Sequence, residues 1–249
     1  MSYFWHISEK YRNTLLAKVF SGLTEVFSLQ GEKITRSPYG RVIKVKIDNN
    51  YLFVKLYSRG GKRLRRFWGR SRVRAEWENL SLFHQLGIPT ANIVAYGQES
   101  KWGRFKRGAL ITEELKNTTD MAALATNRSP LLMKRDWIRQ VSLQVSDFTK
   151  KMHNSGFVHY DLKWRNILVT FGQNPQVFFI DCPTGRKWFG PVLRRGIIKD
   201  LACLDKVAKQ QLSRTARLWF YKSYSGHKKL TKADKVLIKK ILAFFTGHE

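Results

Sequence analysis

Residues 158–169 crowd polar side chains between two short apolar flanks. Their sequence, VHYDLKWRNILV, contains a histidine, an aspartate, a lysine, an arginine and an asparagine. A buried strand would exclude these groups, because each unpaired polar group removed from water costs roughly 1–3 kcal/mol. A surface loop would tolerate them, but it would not need apolar residues at both of its ends. The pattern therefore predicts a polar loop whose ends are held by a hydrophobic core, as catalytic loops often are.

Hydrophobic periodicity predicts mainly strands in the first half of the chain and mainly helices in the second. Alternating apolar and polar residues predict a β-hairpin from residues 41–48 and 51–57. Helical spacing predicts one helix that ends at Gly87 and another over residues 135–153 that leads into the polar loop. Further strands are predicted at residues 92–97, 108–115 and 176–181, and further helices at 199–212, 214–224 and 232–245. This order predicts an α+β fold with a small β-rich N-lobe containing one helix and a larger, mainly helical C-lobe.

The two predicted lobes join near Glu113 and Leu115. We expect an N-lobe at residues 30–113 and a C-lobe at residues 114–249, both within a single domain that spans the chain. With 249 residues, of which 43% are apolar, the chain can bury the core of such a domain. Its two cysteines are too few for a disulfide framework, so simple burial in a reducing compartment is expected.

The charge of the chain predicts an anionic partner. It carries 46 Lys and Arg residues against 18 Asp and Glu residues, a formal net charge of +28. Such a field attracts nucleic acid, an acidic membrane or a phosphorylated substrate. Residues 59–74 are the densest region, with eight basic residues, no acidic residue and two aromatic residues. Arginine mixed with aromatics suits a phosphate-rich surface or a lipid headgroup layer. No zinc spacing or RNP-type motif is present, so no specific nucleic-acid partner is expected.

The N-terminal sequence favours a cytoplasmic location. Charged residues interrupt every apolar run in residues 1–20, so no secretory leader is expected there. No later stretch approaches the roughly 18 uncharged apolar residues that a spanning helix requires. A soluble or peripheral cytoplasmic protein is the expectation.

The polar loop matches the catalytic-loop pattern of protein kinases, H-R-D-x-x-x-x-N. Asp161 and Asn166 are separated by four residues, and His159 occupies the histidine position. Lys163 follows the aspartate by two residues, as it does in kinases. Asp181 follows an apolar strand, at the place of the aspartate of the kinase D-F-G motif.

Two upstream residues extend the kinase pattern. Lys55 lies on the predicted hairpin, as the lysine of the kinase V-A-I-K motif does, and Glu76 lies on the following helix. Each fragment is weak by itself, but their order and their predicted element types together make a specific pattern. The glycine-rich loop is the weakest part, because residues 35–42 contain one glycine.

A narrower resemblance covers residues from about 32 to about 225. The chain resembles the Kdo/WaaP lipopolysaccharide kinase family in seven segments: FVKLY, AEWENLSLFHQLGIPT, VAYG, ITEEL, HNSGFVHYDLKWRNILV, FFIDCP and KDLACL. Two features depart from related patterns. Asn166 stands where several heptose kinases of the family have a histidine, and the glycine of D-F-G is missing after Asp181.

The resemblance implies a set of catalytic and structural roles. Asp161 would accept or orient the proton of the acceptor hydroxyl, and Lys163 would reach the transferring phosphate. Asp200, in the KDLACL segment, would brace the catalytic loop from a helix. His153 and His159 are expected to be structural histidines near a turn.

The resemblance also implies ATP and Mg2+ as cofactors. Asn166 and Asp181 would hold Mg2+, which binds oxygen ligands. Lys55 would contact the ATP phosphates and be held in place by Glu76. Two residues at the junction of the lobes, Glu113 and Leu115, are also assigned to the nucleotide site.

The implied function is phosphorylation of an inner-core sugar of lipopolysaccharide, a heptose or Kdo. The enzyme would be a monomer in peripheral contact with the inner face of the cytoplasmic membrane. An atypical protein kinase is the first alternative, disfavoured because residues 182–199 are too few for a long activation segment and a peptide platform. A catalytically silent kinase-like scaffold is the second, disfavoured because the motif residues are all present.

Overall fold

The computed structural model describes residues 1–60 and 69–246. Half of the predicted basic stretch at residues 59–74, namely residues 61–68, therefore lies outside the described residues. The chain divides into two compact units. The first comprises Met1–Leu82 and Ala91–Lys116, and the second comprises Phe83–Thr90 and Asn117–Glu249.

The first unit is built on an antiparallel sheet, which has six strands in the described part of the chain. The strands are β1 (Ser2–Ile7), β2 (Glu32–Ser37), β3 (Gly40–Ile47), β4 (Asn50–Tyr57), β5 (Ile93–Lys101) and β6 (Arg104–Glu113). They lie in the order β1-β5-β6-β4-β3-β2. The predicted hairpin is β3 and β4, with Ile47 opposite Asn50. Its alternation is also observed, because Leu52, Val54 and Leu56 are buried on one face of β4.

Two short helices precede residues 30–113, the range predicted for the N-lobe, within which the described part of the chain contains one α-helix. Besides most of α3 (Arg72–Gln85), the first unit contains two short helices, α1 (Leu15–Val19) and α2 (Leu23–Ser28). Leu16 and Leu23 belong to the same buried core as the sheet strands. Helices of five or six residues are too short to show a helical repeat in the sequence. Their stability therefore comes from packing against the sheet.

The second unit contains five described α-helices and five short strands. The helices are α4 (Met121–Thr126), α5 (Arg135–Asn154), α6 (Gly190–Gln211), α7 (Arg214–Ser225) and α8 (Lys232–Ala243). The strands are β7 (Thr118–Asp120), β8 (Phe157–Val158), β9 (Ile167–Thr170), β10 (Val177–Phe179) and β11 (Arg186–Lys187). They form two small antiparallel groups, β10-β9-β7 and β11-β8. Predicted helices α5, α7 and α8 are confirmed within a few residues.

Helix α6 begins earlier than the sequence predicted. The apolar pattern indicated a start near residue 199, whereas the helix begins at Gly190 and has a proline in its first turn. This added length brings α6 against strand β8, because Gly196 meets Val158. A Cβ atom on Gly196 would lie 2.6 Å from Val158 Cγ2, so only glycine permits this approach.

Among the described helices, none is long and apolar enough to cross a membrane.

Substitution of Gly97 tests the edge of the sheet that the sequence did not predict. A Cβ atom at this position of β5 would lie 2.2 Å from the carbonyl oxygen of Phe4 in β1. Gly97→Ala must therefore displace β1, and we expect it to lower the free energy of unfolding by about 1–3 kcal/mol. Urea denaturation measures this change. Ser100→Ala on the same strand is the control, expected to change stability by less than about 0.5 kcal/mol. Equal losses in the two variants would contradict the packing of β1.

Candidate active site

The polar loop after β8 is bound to α6 through one buried carboxylate. Asp200 Oδ2 accepts a hydrogen bond from the backbone N–H of His159 at 2.7 Å, and Asp200 Oδ1 accepts one from that of Tyr160 at 2.8 Å. Asp200 is 0% exposed. His153 Nε2 lies 3.4 Å from the same Oδ2 atom, and His153 Nδ1 lies 2.8 Å from the Tyr224 hydroxyl. The predicted bracing of the loop by Asp200 is confirmed.

Beyond Tyr160, alternate side chains of the loop point in opposite directions. Leu162 and Trp164 are buried, and Trp164 Nε1 donates a hydrogen bond to the carbonyl of Leu204 in α6. Lys163 and Arg165, the residues between and after them, are exposed. A short 3-10 helix then leads directly into β9. The sequence's prediction of a polar loop held at both ends by a core is therefore confirmed.

Two cations surround the carboxylate of Asp161. Lys163 Nζ lies 2.6 Å from Oδ1, and an Arg165 guanidinium nitrogen lies 3.1 Å from Oδ2. Burial raises the pKa of Asp161, but the hydrogen bonds and charges of Lys163 and Arg165 outweigh it and hold the pKa below its ordinary value. Asp161 is therefore ionised at neutral pH.

Antiparallel pairing brings Asn166 beside the chain that leads into Asp181. The backbone N–H of Ile180 donates to the carbonyl of Asn166 at 3.0 Å, one step beyond the β9–β10 pairs. The Asn166 side-chain nitrogen donates to the backbone oxygen of Asp161 at 2.8 Å. This bond occupies the amide nitrogen and leaves the amide oxygen as the atom that could bind a cation. Asp181 has a positive φ of 57°.

These two residues have the donor atoms that Mg2+ prefers. A carboxylate and an amide oxygen would supply two ligand oxygens, and Mg2+ in proteins usually keeps water or phosphate oxygens as its other ligands. In the described ranges, no group of three or more His, Cys, Asp or Glu residues could hold a metal by itself. A site made by Asn166 and Asp181 would therefore depend on oxygens from a bound phosphate compound.

In the first unit, Lys55 and Glu76 form an ion pair. Lys55 Nζ lies 2.5 Å from Glu76 Oε1, and the Glu76 side chain is 1% exposed. The hydroxyl of Tyr57 donates to the second oxygen of Glu76. The other glutamate of α3, Glu78, instead pairs near the surface with Arg70 at 2.5 Å. The sequence's choice of Glu76 over Glu78 as the partner of Lys55 agrees with this geometry.

Glu113 and Leu115 lie at the end of β6 and just beyond it. The side chain of Glu113 accepts a hydrogen bond from Asn92 at 2.7 Å, and Lys10 Nζ lies 3.4 Å from it. Burial raises the pKa of Glu113, but these partners and the Tyr11 hydroxyl bring it below its ordinary value. The Glu113 backbone N–H donates to the carbonyl of Asn92. The nucleotide role assigned to Glu113 and Leu115 stays a prediction.

The remaining histidine of the loop is enclosed in the core. His159 is 0% exposed, and its ring stacks on Phe83 with centroids 6.1 Å apart. Burial lowers the pKa of His159, although three nearby aspartates act in the opposite direction. A neutral, buried ring agrees with the structural role expected for it. Both cysteines, Cys182 and Cys203, are buried and free, as predicted.

Comparison with known proteins identifies the family. A protein-family model described as "Lipopolysaccharide kinase (Kdo/WaaP) family" matches residues 26–235. The chain belongs to this family. The family predicted from the sequence motifs is confirmed.

Two relatives and one solved structure are similar to the chain. The lipopolysaccharide core heptose(I) kinase WaaP of Pseudomonas aeruginosa is 26% identical over 152 residues, which are 55% of this chain and 53% of that protein. The chain thus matches about half the length of this relative. The 3-deoxy-D-manno-octulosonic acid kinase of Haemophilus influenzae is 26% identical over 175 residues, 61% of this chain and 68% of that protein. The structure of WaaP in complex with acyl carrier protein superposes with a TM-score of 0.74 at 22% identity, covering 96% of each chain. This likeness shows that the α+β fold is shared.

Two side chains contact the candidate residues but were assigned no role from the sequence, although both lie in the family-like segments. Arg165 contacts Asp161, and Tyr57 contacts Glu76. Tyr57 could have been found from the sequence, because it follows Lys55 by two residues and so faces the same side of β4. Arg165 gave no comparable signal, because its contact depends on the turn that follows Lys163.

Substitution of Asp200 tests the bracing of the loop. Asp200→Asn replaces one acceptor oxygen with a donor, so one buried backbone N–H of the loop loses its partner. We expect a loss of at least about 2 kcal/mol in the free energy of unfolding, measured by urea denaturation. Asp147→Asn is the matched control. The side chain of Asp147 is 53% exposed and pairs with Lys151, so the expected loss is below about 1 kcal/mol. Similar losses at the two positions would contradict the bracing role.

Proposed function

We propose that the chain is an ATP-dependent kinase that phosphorylates a hydroxyl of an inner-core sugar of lipopolysaccharide, a heptose or Kdo. The observation that carries this proposal is the loop around Asp161 in a member of the lipopolysaccharide kinase family. Its backbone is fixed by Asp200, and its carboxylate is ionised and paired with Lys163. A carboxylate held in this way can bind and orient a hydroxyl group.

The acidity of Asp161 suggests how it acts. A group whose pKa lies below its ordinary value is a weak base, so early removal of the hydroxyl proton is unfavourable. Phosphoryl transfer usually passes through a loose transition state in which the attacking hydroxyl loses its proton late. Asp161 would therefore orient the hydroxyl first and accept the proton as the new bond forms. Lys163 would offset the charge of the transferring phosphoryl group.

Asn166 and Asp181 are proposed to hold Mg2+. The cation, when bound, neutralises charge on the phosphate oxygens of ATP. The hydrogen bond from Asn166 to the backbone oxygen of Asp161 fixes the Asn166 amide. The proposed ligand oxygen of Asn166 and the carboxylate of Asp161 are therefore held in place relative to each other. This link would keep the acceptor hydroxyl in register with the bound phosphates.

Lys55 is proposed to contact the phosphates of ATP. Its ammonium group is held by Glu76, which is itself fixed by Tyr57. A flexible lysine would lose side-chain entropy on binding, whereas a lysine already held by a buried carboxylate has lost most of it. Glu113 and Leu115 remain the proposed nucleotide contacts at the end of β6.

We further propose that the two compact units are the lobes of a protein-kinase-like fold, within one domain. The boundaries expected from the sequence, 30–113 and 114–249, then describe the N-lobe and the C-lobe. Residues 1–29 extend the first of them, because β1 and α1 pack with its sheet. The short connection at residues 182–199 continues to disfavour a peptide substrate.

The acceptor proposal follows from the names of the two relatives. One is named for heptose(I) and the other for 3-deoxy-D-manno-octulosonic acid, and both sugars belong to the substrate class expected from the sequence. The net charge of +28 suits an acidic glycolipid at a membrane surface. We place the enzyme, as a monomer, at the inner face of the cytoplasmic membrane, where ATP is available.

Three substitutions test the catalytic assignment. With Mg2+ and a core acceptor, Asp161→Ala and Asp181→Ala are each expected to lower kcat at least about 100-fold. Lys55→Met is expected to lower kcat/KM at least about tenfold, since it removes a phosphate contact. Matched controls are Asp147→Ala on α5 and Lys46→Met on β3, both exposed and expected to be near wild type. Chelation of Mg2+ should abolish turnover. Wild-type turnover in the Asp181 variant would end the kinase proposal.

Mass spectrometry of the lipopolysaccharide core tests the acceptor. Cores are compared from a deletion strain, its wild-type complement and an Asp161→Ala complement. We expect the deletion to remove one phosphate from a core sugar, and only the wild-type gene to restore it. Fragmentation assigns that phosphate to heptose or to Kdo. An unchanged phosphate content in all strains would reject this acceptor and favour the protein-kinase alternative.

A further inference from the structure

The connection between Asp181 and Asp200 carries an exposed apolar tip among basic residues. Residues 182–199 contain five Lys and Arg residues and no Asp or Glu. Within this segment, Phe189 is 85% exposed and Val192 is 47% exposed. A single exposed apolar residue is ordinary, but an aromatic tip inside an acid-free basic segment is typical of an interfacial surface.

The tip is held by regular structure on both sides. Strand β11 pairs with β8, and the backbone N–H of Trp188 then donates to the carbonyl of Gly156 at 2.8 Å. Phe189 is the N-cap residue of α6, whose first turn contains Pro191. The backbone that carries the exposed Phe189 ring is therefore fixed. The folded chain leaves this ring in water, although burial of an aromatic side chain normally stabilises a protein.

The cations around the tip are available to an external anion. Lys187, Arg194 and Arg195 are exposed, and no carboxylate in the described part of the chain pairs with them. A second exposed aromatic residue, Trp102, is 87% exposed. Nearby basic residues of its hairpin are already engaged, because Glu99 pairs with both Lys106 and Arg107. Charge complementarity thus favours the surface around Phe189.

We propose that Phe189 and Val192 insert into the headgroup layer of a bilayer containing anionic lipid, while Lys187, Arg194 and Arg195 bind the lipid phosphates. We call these five residues the docking surface. Aromatic side chains favour the membrane interface, and each nearby cation adds attraction to anionic lipid. The inference deepens the proposed function, on which it rests, by naming the face that meets the lipid. The sequence had placed this contact at residues 59–74 instead.

A cavity links the docking surface to the catalytic loop. Its volume is about 610 Å³, and its lining includes Val192 and Arg195 from the docking surface together with Tyr160 and Lys199. Tyr160 immediately precedes Asp161. Lys199 Nζ lies 5.2 Å from the centre of the Tyr160 ring. A polar headgroup beside the docked tip would thus face the basic side chains next to the proposed catalytic carboxylate.

Vesicle sedimentation tests the charged part of the docking surface. The full chain is mixed, without ATP or acceptor, with phosphatidylcholine vesicles that contain or lack phosphatidylglycerol. Reversing three cations, as Lys187→Glu/Arg194→Glu/Arg195→Glu, is expected to weaken binding to the anionic vesicles at least about tenfold. The matched control, Lys235→Glu/Lys239→Glu/Lys240→Glu, removes the same charge from an exposed face of α8 and is expected to bind nearly as wild type.

A fluorescent label tests insertion of the tip directly. Phe189→Cys introduces an exposed thiol into a chain whose own cysteines are buried, so an environment-sensitive dye reacts at position 189. Its emission should shift to the blue when anionic vesicles are added, because the dye leaves water. Met133→Cys, at a residue that is 84% exposed on another element of the same unit, should show no shift.

Three outcomes would overturn the proposal: equal weakening by both triple reversals, no shift at position 189, or binding of this surface to an acidic protein but not to vesicles. Because neither measurement requires phosphoryl transfer, an inactive preparation that still docks would count against the kinase proposal alone. An active preparation on soluble acceptor that does not dock would count against the docking surface alone.

Discussion

One buried carboxylate fixes the conformation on which the candidate site depends. Asp200 accepts hydrogen bonds from two consecutive backbone N–H groups, those of His159 and Tyr160. A carboxylate without exposed surface requires such donors to replace its lost hydration. These donors are backbone groups of the loop. The Asp200 carboxylate can therefore be buried only when the loop takes the position that supplies its hydrogen bonds. The alternation that follows, with Leu162 buried and Asp161 turned outward, begins from this fixed point.

Acidic residues are scarce in this chain, and several of them are buried with their partners. Glu76 binds Lys55, Glu99 binds two cations of a hairpin, and Asp234 binds Thr231 and Tyr221 in the cap of α8. Carboxylates used in this way hold the fold together but neutralise few of the 46 basic residues. The excess cations repel one another, and an anionic surface relieves that repulsion. The same scarcity of acidic residues thus leaves an excess of positive charge on the surface, which favours an acidic partner.

The sequence predicted those parts of the fold that have their own periodicity. The β3–β4 hairpin alternates over its whole length, and α5 repeats its apolar face over several turns, so both were predicted close to their observed ends. Strand β1 and helices α1 and α2 were not, because each is short and is stabilised by contacts with strands far along the chain. Sequence spacing alone was enough to select Asp161 and Asn166 as candidate site residues. The contact of Arg165 with Asp161 depends instead on a turn that no sequence pattern specifies.

Residues 182–199 form one continuous segment that joins three sites. They begin after the proposed magnesium ligand Asp181, carry Phe189 at the proposed lipid contact and end before the bracing residue Asp200. Because β11 and the start of α6 fix the middle of this segment, lipid contact would set the distance between the bilayer surface and Asp161. A sugar anchored in that bilayer would meet the carboxylate at a defined height, and confinement to the surface would raise its effective concentration. Positioning of this kind requires few contacts with the sugar itself. It would therefore explain how one family includes relatives named for two different core sugars.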